Sequence, residues 1–302
     1  MHFPSKILVG LLMSLCLASG VAAQTVTDTL KKIKDSGTVV IGHRDASIPF
    51  SYLDDKQQPI GYSMDICLKI VEAIKAELQL PNLQVKMNPV TSATRIPLMQ
   101  NGTIDLECGS TTNNLERQKQ VAFAITTFVT ANRLMAKKAS KITSLDDMKG
   151  KTLVSTSGTT NLKQVTELNA QRNLGMNIIT AKDHAESFLM VETGRAAAFA
   201  MDDILLYSLV ASAKNPGDYT ITSEALSVEP YGIMLRKDDP AFKKVVDNAI
   251  TALFKSGEID QLYTKWFQSP IPPKNINLNV AMSDALKKAI AHPTDSGDPK
   301  DY

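Results

Sequence analysis

From residue 38 onward, short β-branched runs take turns with longer segments that carry apolar residues at helical spacing. Strands separated by helical crossovers build sheets covered by helices, so this alternation constrains the fold to the α/β class. Val39-Val40-Ile41 ends at Gly42 as a buried strand does. Over 64–78, Ile66, Ile70, Val71, Ile74 and Leu78 share a helical face, and Pro81 marks the stop. Residues 83–87 alternate as a strand, 94–100 read as a short helix closed by Asn101-Gly102, and 103–108 as a strand. Asn113, with Glu116 three residues on, has the form of a capping box opening a further helix. The pattern continues as strand 152–156, helix 161–172, strand 177–180, helix 185–193, strand 196–201 and helix 203–213. Residues 240–267 read as two helices divided by Gly257. Ser269-Pro270-Ile271-Pro272-Pro273 ends them, leaving an extended strap over 274–302 with a short helix at 283–290 and a frayed end. A chain of 302 residues has room for two such lobes.

Residues 1–23 stand apart. Lys6 precedes an apolar run from Ile7 to Ala18, and Val21-Ala22-Ala23 offers the small residues a signal peptidase reads. The run is shorter than the roughly 20 residues a membrane span needs. Cys16 follows Leu15, a poor neighbour for a lipidated cysteine. Cleavage after Ala23 removes Lys6 and no acid, so the net charge falls from +2 by one. A charge that small excludes a general nucleic-acid or membrane-surface binder. Export permits a disulfide between Cys67 and Cys108, and two buried thiols fit the sequence equally well. No cysteine–histidine cluster has zinc spacing, so no metal and no cofactor is expected.

In α/β sheets, ligands gather at the carboxyl ends of strands. Here those ends hold His43-Arg44, Gly109-Ser110-Thr111-Thr112, Ser157-Gly158-Thr159-Thr160 and Asp202. With Arg95 and Arg117 nearby, the set suits an anion: guanidinium forks match carboxylates, and helix starts at 110–113 and 159–161 add N–H donors. Ordinary caps and surface arginines would give the same residues one at a time. Asp183, with Glu186 after it, reads as an N-cap that makes His184 the first residue of a helix. Asp202-Asp203 could be an acid pair or a helix cap. No G-x-S-x-G elbow, Walker motif or G-x-G-x-x-G is present, which leaves nucleophilic and nucleotide chemistry without support.

Gly42-His43-Arg44-Asp45-Ala46-Ser47-Ile48-Pro49-Phe50-Ser51-Tyr52 and Gly61-Tyr62-Ser63-Met64-Asp65 resemble the opening of amino-acid solute-binding proteins of ABC transporters. Thr91-Ser92-Ala93-Thr94-Arg95-Ile96-Pro97-Leu98, Asn101-Gly102-Thr103-Ile104-Asp105 and Gly109 to Arg117 narrow the likeness to periplasmic glutamate/aspartate-binding proteins of Gram-negative bacteria. Lys182-Asp183-His184, Ala200-Met201-Asp202-Asp203, Tyr231 to Pro240 and Lys265-Trp266-Phe267 extend it over nearly the whole chain beyond the leader. The resemblance implies a bilobed, type II periplasmic-binding fold: lobe one from 24–130 plus 229–302, lobe two from 131–228, with crossings near 128–133 and 227–232. It implies a periplasmic monomer, no enzyme, that binds L-glutamate or L-aspartate between the lobes by hinge closure and delivers it to a membrane permease. By the same resemblance Arg117 grips the α-carboxylate with Thr112 and Thr160, Asp202 accepts from the ammonium beside Ser110, and Arg44, Arg95, Ser92 and His184 meet the distal carboxylate. Three arginines against Asp202 leave +2 for a ligand of −1. Phe50 and Tyr52 either wall the pocket or belong to the core.

Two other functions share this architecture. One is an enzyme like the cyclohexadienyl dehydratases, acting on prephenate or arogenate, which needs a second acid to protonate a leaving hydroxyl; the sequence places none beside Asp202. The other is a sensory module that presents ligand to a receptor.

Overall fold

The computed structural model describes residues 28–302 together with His2; the expected leader and its Cys16 lie outside them, His2 excepted. Asp28 caps α1 (Thr29–Ser36), and the chain runs through β1 (Thr38–His43), a small sheet of β2 (Ala46–Ser47), β3 (Ser51–Leu53) and β4 (Pro59–Ile60), and α2 (Tyr62–Leu78). It continues as β5 (Gln84–Pro89), α3 (Arg95–Gln100), β6 (Leu106–Glu107), β7 (Ala122–Phe123), β8 (Phe128–Thr130) and β9 (Asn132–Lys137). Then come β10 (Thr152–Thr156), α4 (Thr160–Gln171), β11 (Asn177–Ala181), α5 (His184–Glu192), β12 (Ala198–Asp202), α6 (Asp203–Ser212) and β13 (Tyr219–Ile221). β14 (Glu229–Tyr231), β15 (Met234–Leu235), α7 (Pro240–Ser256), α8 (Glu258–Phe267) and α9 (Asp284–Ala291) close the chain.

These strands form two five-stranded mixed sheets, in the orders β5-β1-β6-β15-β7 and β11-β10-β12-β9-β13, so the expected bilobed α/β architecture is present. In each sheet the second strand of the order, β1 or β10, pairs in parallel on both sides: Ile41 lies opposite Met87 and Leu106, and Leu153 opposite Ile178 and Ala198. β8 leads from β7 of the first sheet to β9 of the second, β14 leads from β13 back to β15, and the two pair antiparallel with Val129 opposite Pro230. Beneath this pair lies an aromatic cluster. The Phe50 ring sits edge-on to Phe128 (4.9 Å), Tyr231 (5.2 Å) and Phe267 (5.6 Å). Phe50 and Tyr52 are therefore core residues and not pocket walls; the Tyr52 hydroxyl donates to the Pro272 carbonyl at 2.7 Å.

Three expectations are corrected. No α-helix opens at Asn113: the chain makes a 3₁₀ turn at Arg117–Lys119, and it is Asn114 Oδ1 that accepts from Arg117 N (2.8 Å). The Asn113 amide instead donates to the carbonyls of Asp295 (2.8 Å) and Ser296 (3.3 Å). The C-terminal strap is accordingly docked, not frayed, with Gln118 donating to the same Asp295 carbonyl and Thr126 N to Thr294 O (2.8 Å). The strand expected over 103–108 is cut to Leu106–Glu107. Among the described residues no helix is long and apolar enough to cross a membrane.

The sequence left the cysteines open; the structure joins Cys67 on α2 to Cys108 at the end of β6, across a separation of 41 residues. Closing a loop of that length removes unfolded-chain entropy equivalent to about 4 kcal/mol. Replacing both cysteines with alanine is expected to lower unfolding stability by about 3–4 kcal/mol in urea titrations. A loss below about 1 kcal/mol would contradict this.

Candidate functional site

The polar ends of β1, β6, β10 and β12 face one small cavity between the two sheets. It is tightly closed: the space open to the centre of a water-sized sphere is about 10 Å³, on the order of one water. Ser92, Arg95, Ser110, Thr112, Thr160, His184 and Asp202 line it, with Thr159, Asn161, Met201 and Leu205. Arg44 and Arg117 adjoin it. Arg44 Nη2 lies 3.5 Å from His184 Nε2, and Arg117 Nη1 donates to Thr112 O (2.8 Å). All nine residues singled out from the sequence thus come together, and all but Thr160 are buried.

Local chemistry fixes each one. Arg95 opens α3 and donates from Nη1 to Thr111 Oγ1 at 2.5 Å. Arg117 reaches across to the opposite lobe, where Nη2 donates to Gly158 O (3.2 Å). Gly158, at φ +78°, lets that turn touch the first lobe; a Cβ there would come 2.6 Å from Ala93 Cα and 2.8 Å from Ser92 C. Only glycine permits this closed approach without moving backbone. Asp183 caps α5 by accepting from Glu186 N (2.9 Å), which sets His184 at the first helical position with Nδ1 2.9 Å from Thr156 Oγ1. Asp202 ends β12 and does not cap α6 with its side chain. It accepts from Asn161 Nδ2 (2.7 Å) and from the Tyr231 hydroxyl.

The electrostatics are those of charges held without water. Burial pulls Arg44 down to about 10 and Arg117 to about 9, with Arg95 repelling both. Arg95 is lowered by burial too. Burial, then Arg44 and Arg95, drive His184 well below its ordinary value, so its ring is neutral. Burial, then Glu229, push Asp202 up to about 7, against the hydrogen bonds of Tyr231 and Asn161. Arg44 Nη1, Arg95 Nε, Ser92 Oγ and Ser110 Oγ are buried with no hydrogen-bond partner among the described residues. Four donors orphaned around one cavity form a site shaped for a polar guest, since a buried group left unmade is costly.

Sequence reasoning missed several participants. Tyr231 and Glu229 come from β14, one of the two strands between the sheets; Glu229 Oε2 accepts from Thr160 Oγ1 at 2.9 Å. Glu107 is fully buried at the end of β6 and accepts from Thr111 Oγ1. An acid inside an apolar strand pattern was the available signal for Glu107; for Glu229 and Tyr231 nothing local distinguishes them from ordinary strand residues. With these acids counted, the three arginines face three carboxylates, so the +2 surplus expected from the sequence is corrected: selectivity must come from where the charges sit. Neither Glu107 nor Glu229 lines the cavity, so neither supplies the second acid that a dehydratase would need there.

This geometry has close relatives. The chain is 55% identical over 98% of its length to the L-glutamate/L-aspartate-binding protein of Pseudomonas aeruginosa, covering 98% of that protein. It is 49% identical to the glutamate/aspartate import solute-binding protein of Escherichia coli, over 94% of this chain and 96% of that one. Among solved structures, a mutant of ArgBP from T. maritima aligns with a TM-score of 0.70 at 28% identity, covering 79% of this chain and 99% of that one. The sequence profile of the bacterial extracellular solute-binding proteins, family 3, matches residues 39–269. With that match spanning most of the chain and both sheets, the chain belongs to the bacterial extracellular solute-binding proteins of family 3.

Proposed function

We propose that this protein captures L-glutamate and L-aspartate in the cavity between its lobes and hands them to the membrane permease of an ABC transporter. The observation that carries this reading is the burial of three guanidinium groups and four unpartnered donors around one small cavity between the sheets. The names of the P. aeruginosa and E. coli relatives support the same ligand class.

The placement of charge sets the pose. Arg117 takes the α-carboxylate, helped by Thr112 and Thr160. Asp202, steadied by Tyr231 and Asn161, accepts from the α-ammonium beside Ser110. Arg44, Arg95 and Ser92 hold the distal carboxylate, and the neutral His184 ring adds a hydrogen bond. A cationic side chain would set its ammonium against Arg44 and Arg95, a buried like-charge contact costing several kcal/mol. Binding begins on one lobe in the open form, and closure brings Thr160, His184 and Asp202 onto the ligand and expels water. The lobes are 24–130 with 229–302 and 131–228, with β8 and β14 as the hinge. The protein works as a periplasmic monomer after loss of residues 1–23, and as a binder it leaves prephenate and arogenate unchanged.

Calorimetric titration with glutamate, aspartate, glutamine and arginine tests the reading. The two acidic amino acids are expected to bind and arginine to fail; tight arginine binding with no glutamate binding would overturn it. In the same assay Arg44→Ala and Arg95→Ala are each expected to weaken glutamate by at least about 2 kcal/mol, since each leaves a desolvated carboxylate short of its partner. Unchanged affinity in both would remove the distal-carboxylate assignment.

Asp202 must be ionised to accept from an ammonium. Because burial and Glu229 hold it up near 7, protons compete for it, and glutamate affinity is expected to fall as pH drops from about 8 to about 5. His184, held well below its ordinary value, stays neutral as that fall begins. Asp202→Asn should weaken every amino acid alike and flatten the profile, and glutarate, which lacks the ammonium, should show no such fall. A profile for Asp202→Asn that matches the parent protein would contradict the assignment.

A further inference from the structure

Glu107 is a buried charge beside the site that the binding scheme does not use. It stands at the carboxyl end of β6, fully buried, directly before the disulfide cysteine Cys108. Its Oε2 accepts from Thr111 Oγ1, and Thr111 Oγ1 accepts in turn from Arg95 Nη1, so the carboxylate is one hydroxyl away from a guanidinium. Its Oε1 has no hydrogen-bond partner among the described residues. Gly109 lies directly over it: a Cβ there would come 2.3 Å from Glu107 Oε1 and 2.9 Å from Arg44 Cγ. The carboxylate therefore sits under the turn that carries Ser110, between the stem of Arg44 and the relay to Arg95.

A half-satisfied carboxylate in an apolar layer is expensive, and glutamine or methionine would fill the same space without charge. Its charge has a use here. The acid acts on all three guanidiniums, raising Arg44, Arg95 and Arg117 against the burial that lowers them; Asp202 and Glu229 each favour only some of the three.

We propose that Glu107 is the fixed counter-charge of the arginine cluster: it makes Arg44 and Arg95 tolerable in a ligand-free site, and its negative charge limits how strongly the site prefers a distal carboxylate over a distal amide. The proposal rests on the acidic amino-acid reading given above. Closed on ligand, the distal carboxylate and Glu107 share the same two cations from opposite sides and repel each other. A neutral side chain at 107 removes that repulsion for glutamate and changes nothing comparable for glutamine.

The test is calorimetry of the parent protein and Glu107→Gln with glutamate and with glutamine, alongside thermal unfolding with and without glutamate. Glutamine at 107 keeps an acceptor for Thr111, so the relay to Arg95 survives the change. The ratio of glutamate to glutamine affinity is expected to rise about tenfold, the change that removing a like charge roughly 12 Å away implies at an effective dielectric of about 20. The unliganded variant should melt lower than the parent, and saturating glutamate should close most of that gap. A ratio that stays level or falls overturns the proposal. So does a variant that does not fold even in saturating glutamate, because the role of Glu107 would then be structural. If the parent itself takes neither glutamate nor aspartate, it is the binding reading that fails, and that result is visible before any variant is compared.

Discussion

Three guanidinium groups are taken out of water within one small space, and the rest of the molecule is arranged around that fact. Removing an ion from water still costs several kcal/mol after relaxation, so three cost on the order of the 5–15 kcal/mol that keeps a whole domain folded. The carbonyls of Thr112 and Gly158, the hydroxyl of Thr111 and the carboxylates of Glu107, Glu229 and Asp202 offset part of this. Donors on Arg44 and Arg95 still lack partners among the described residues. On the proposed reading, the remaining deficit is what a ligand with two carboxylates relieves, so affinity and selectivity arise from the same source.

Holding such charges needs a stiff frame. Two mixed sheets present the carboxyl ends of β1, β6, β10 and β12 to the cavity, and the Cys67–Cys108 bond ties α2 to the strand end that carries Glu107. The two strands between the sheets are joined to the core and to the site at once. Tyr231 packs its ring on Phe50 while its hydroxyl donates to Asp202, and Glu229, two residues earlier, accepts from Thr160. Any rotation about β14 therefore shifts groups that touch the cavity. At Gly158 the lobes meet backbone against backbone, at Ser92 and Ala93.

Much of this was legible in the sequence because it depends on local rules. Period and punctuation gave α2, and Gly257 divides α7 from α8 where the sequence says it should. The strand-end rule gathered Arg44, Ser110, Thr160 and Asp202 before any coordinates, and Asp183 with Glu186 fixed His184 at a helix start. What could not be read was non-local. Asn113 has a capping residue's spacing, but its amide is claimed by carbonyls more than 180 residues away, and no helix forms. Glu107, Glu229 and Tyr231 take their places only through neighbours brought in by the fold, so a count of charges along the sequence misses them, although it does name the three arginines that come together. Whether Cys67 meets Cys108 was likewise a question of how α2 lies against β6.

The account stands on the pairing of each ligand charge with a named group. A crystal structure of the protein with L-glutamate would test it most directly. The α-carboxylate should lie on Arg117, the ammonium on Asp202, and the distal carboxylate within hydrogen-bond distance of both Arg44 and Arg95. A glutamate bound in the reverse sense, or with its distal carboxylate in solvent and Arg44 and Arg95 still unpartnered, would contradict it.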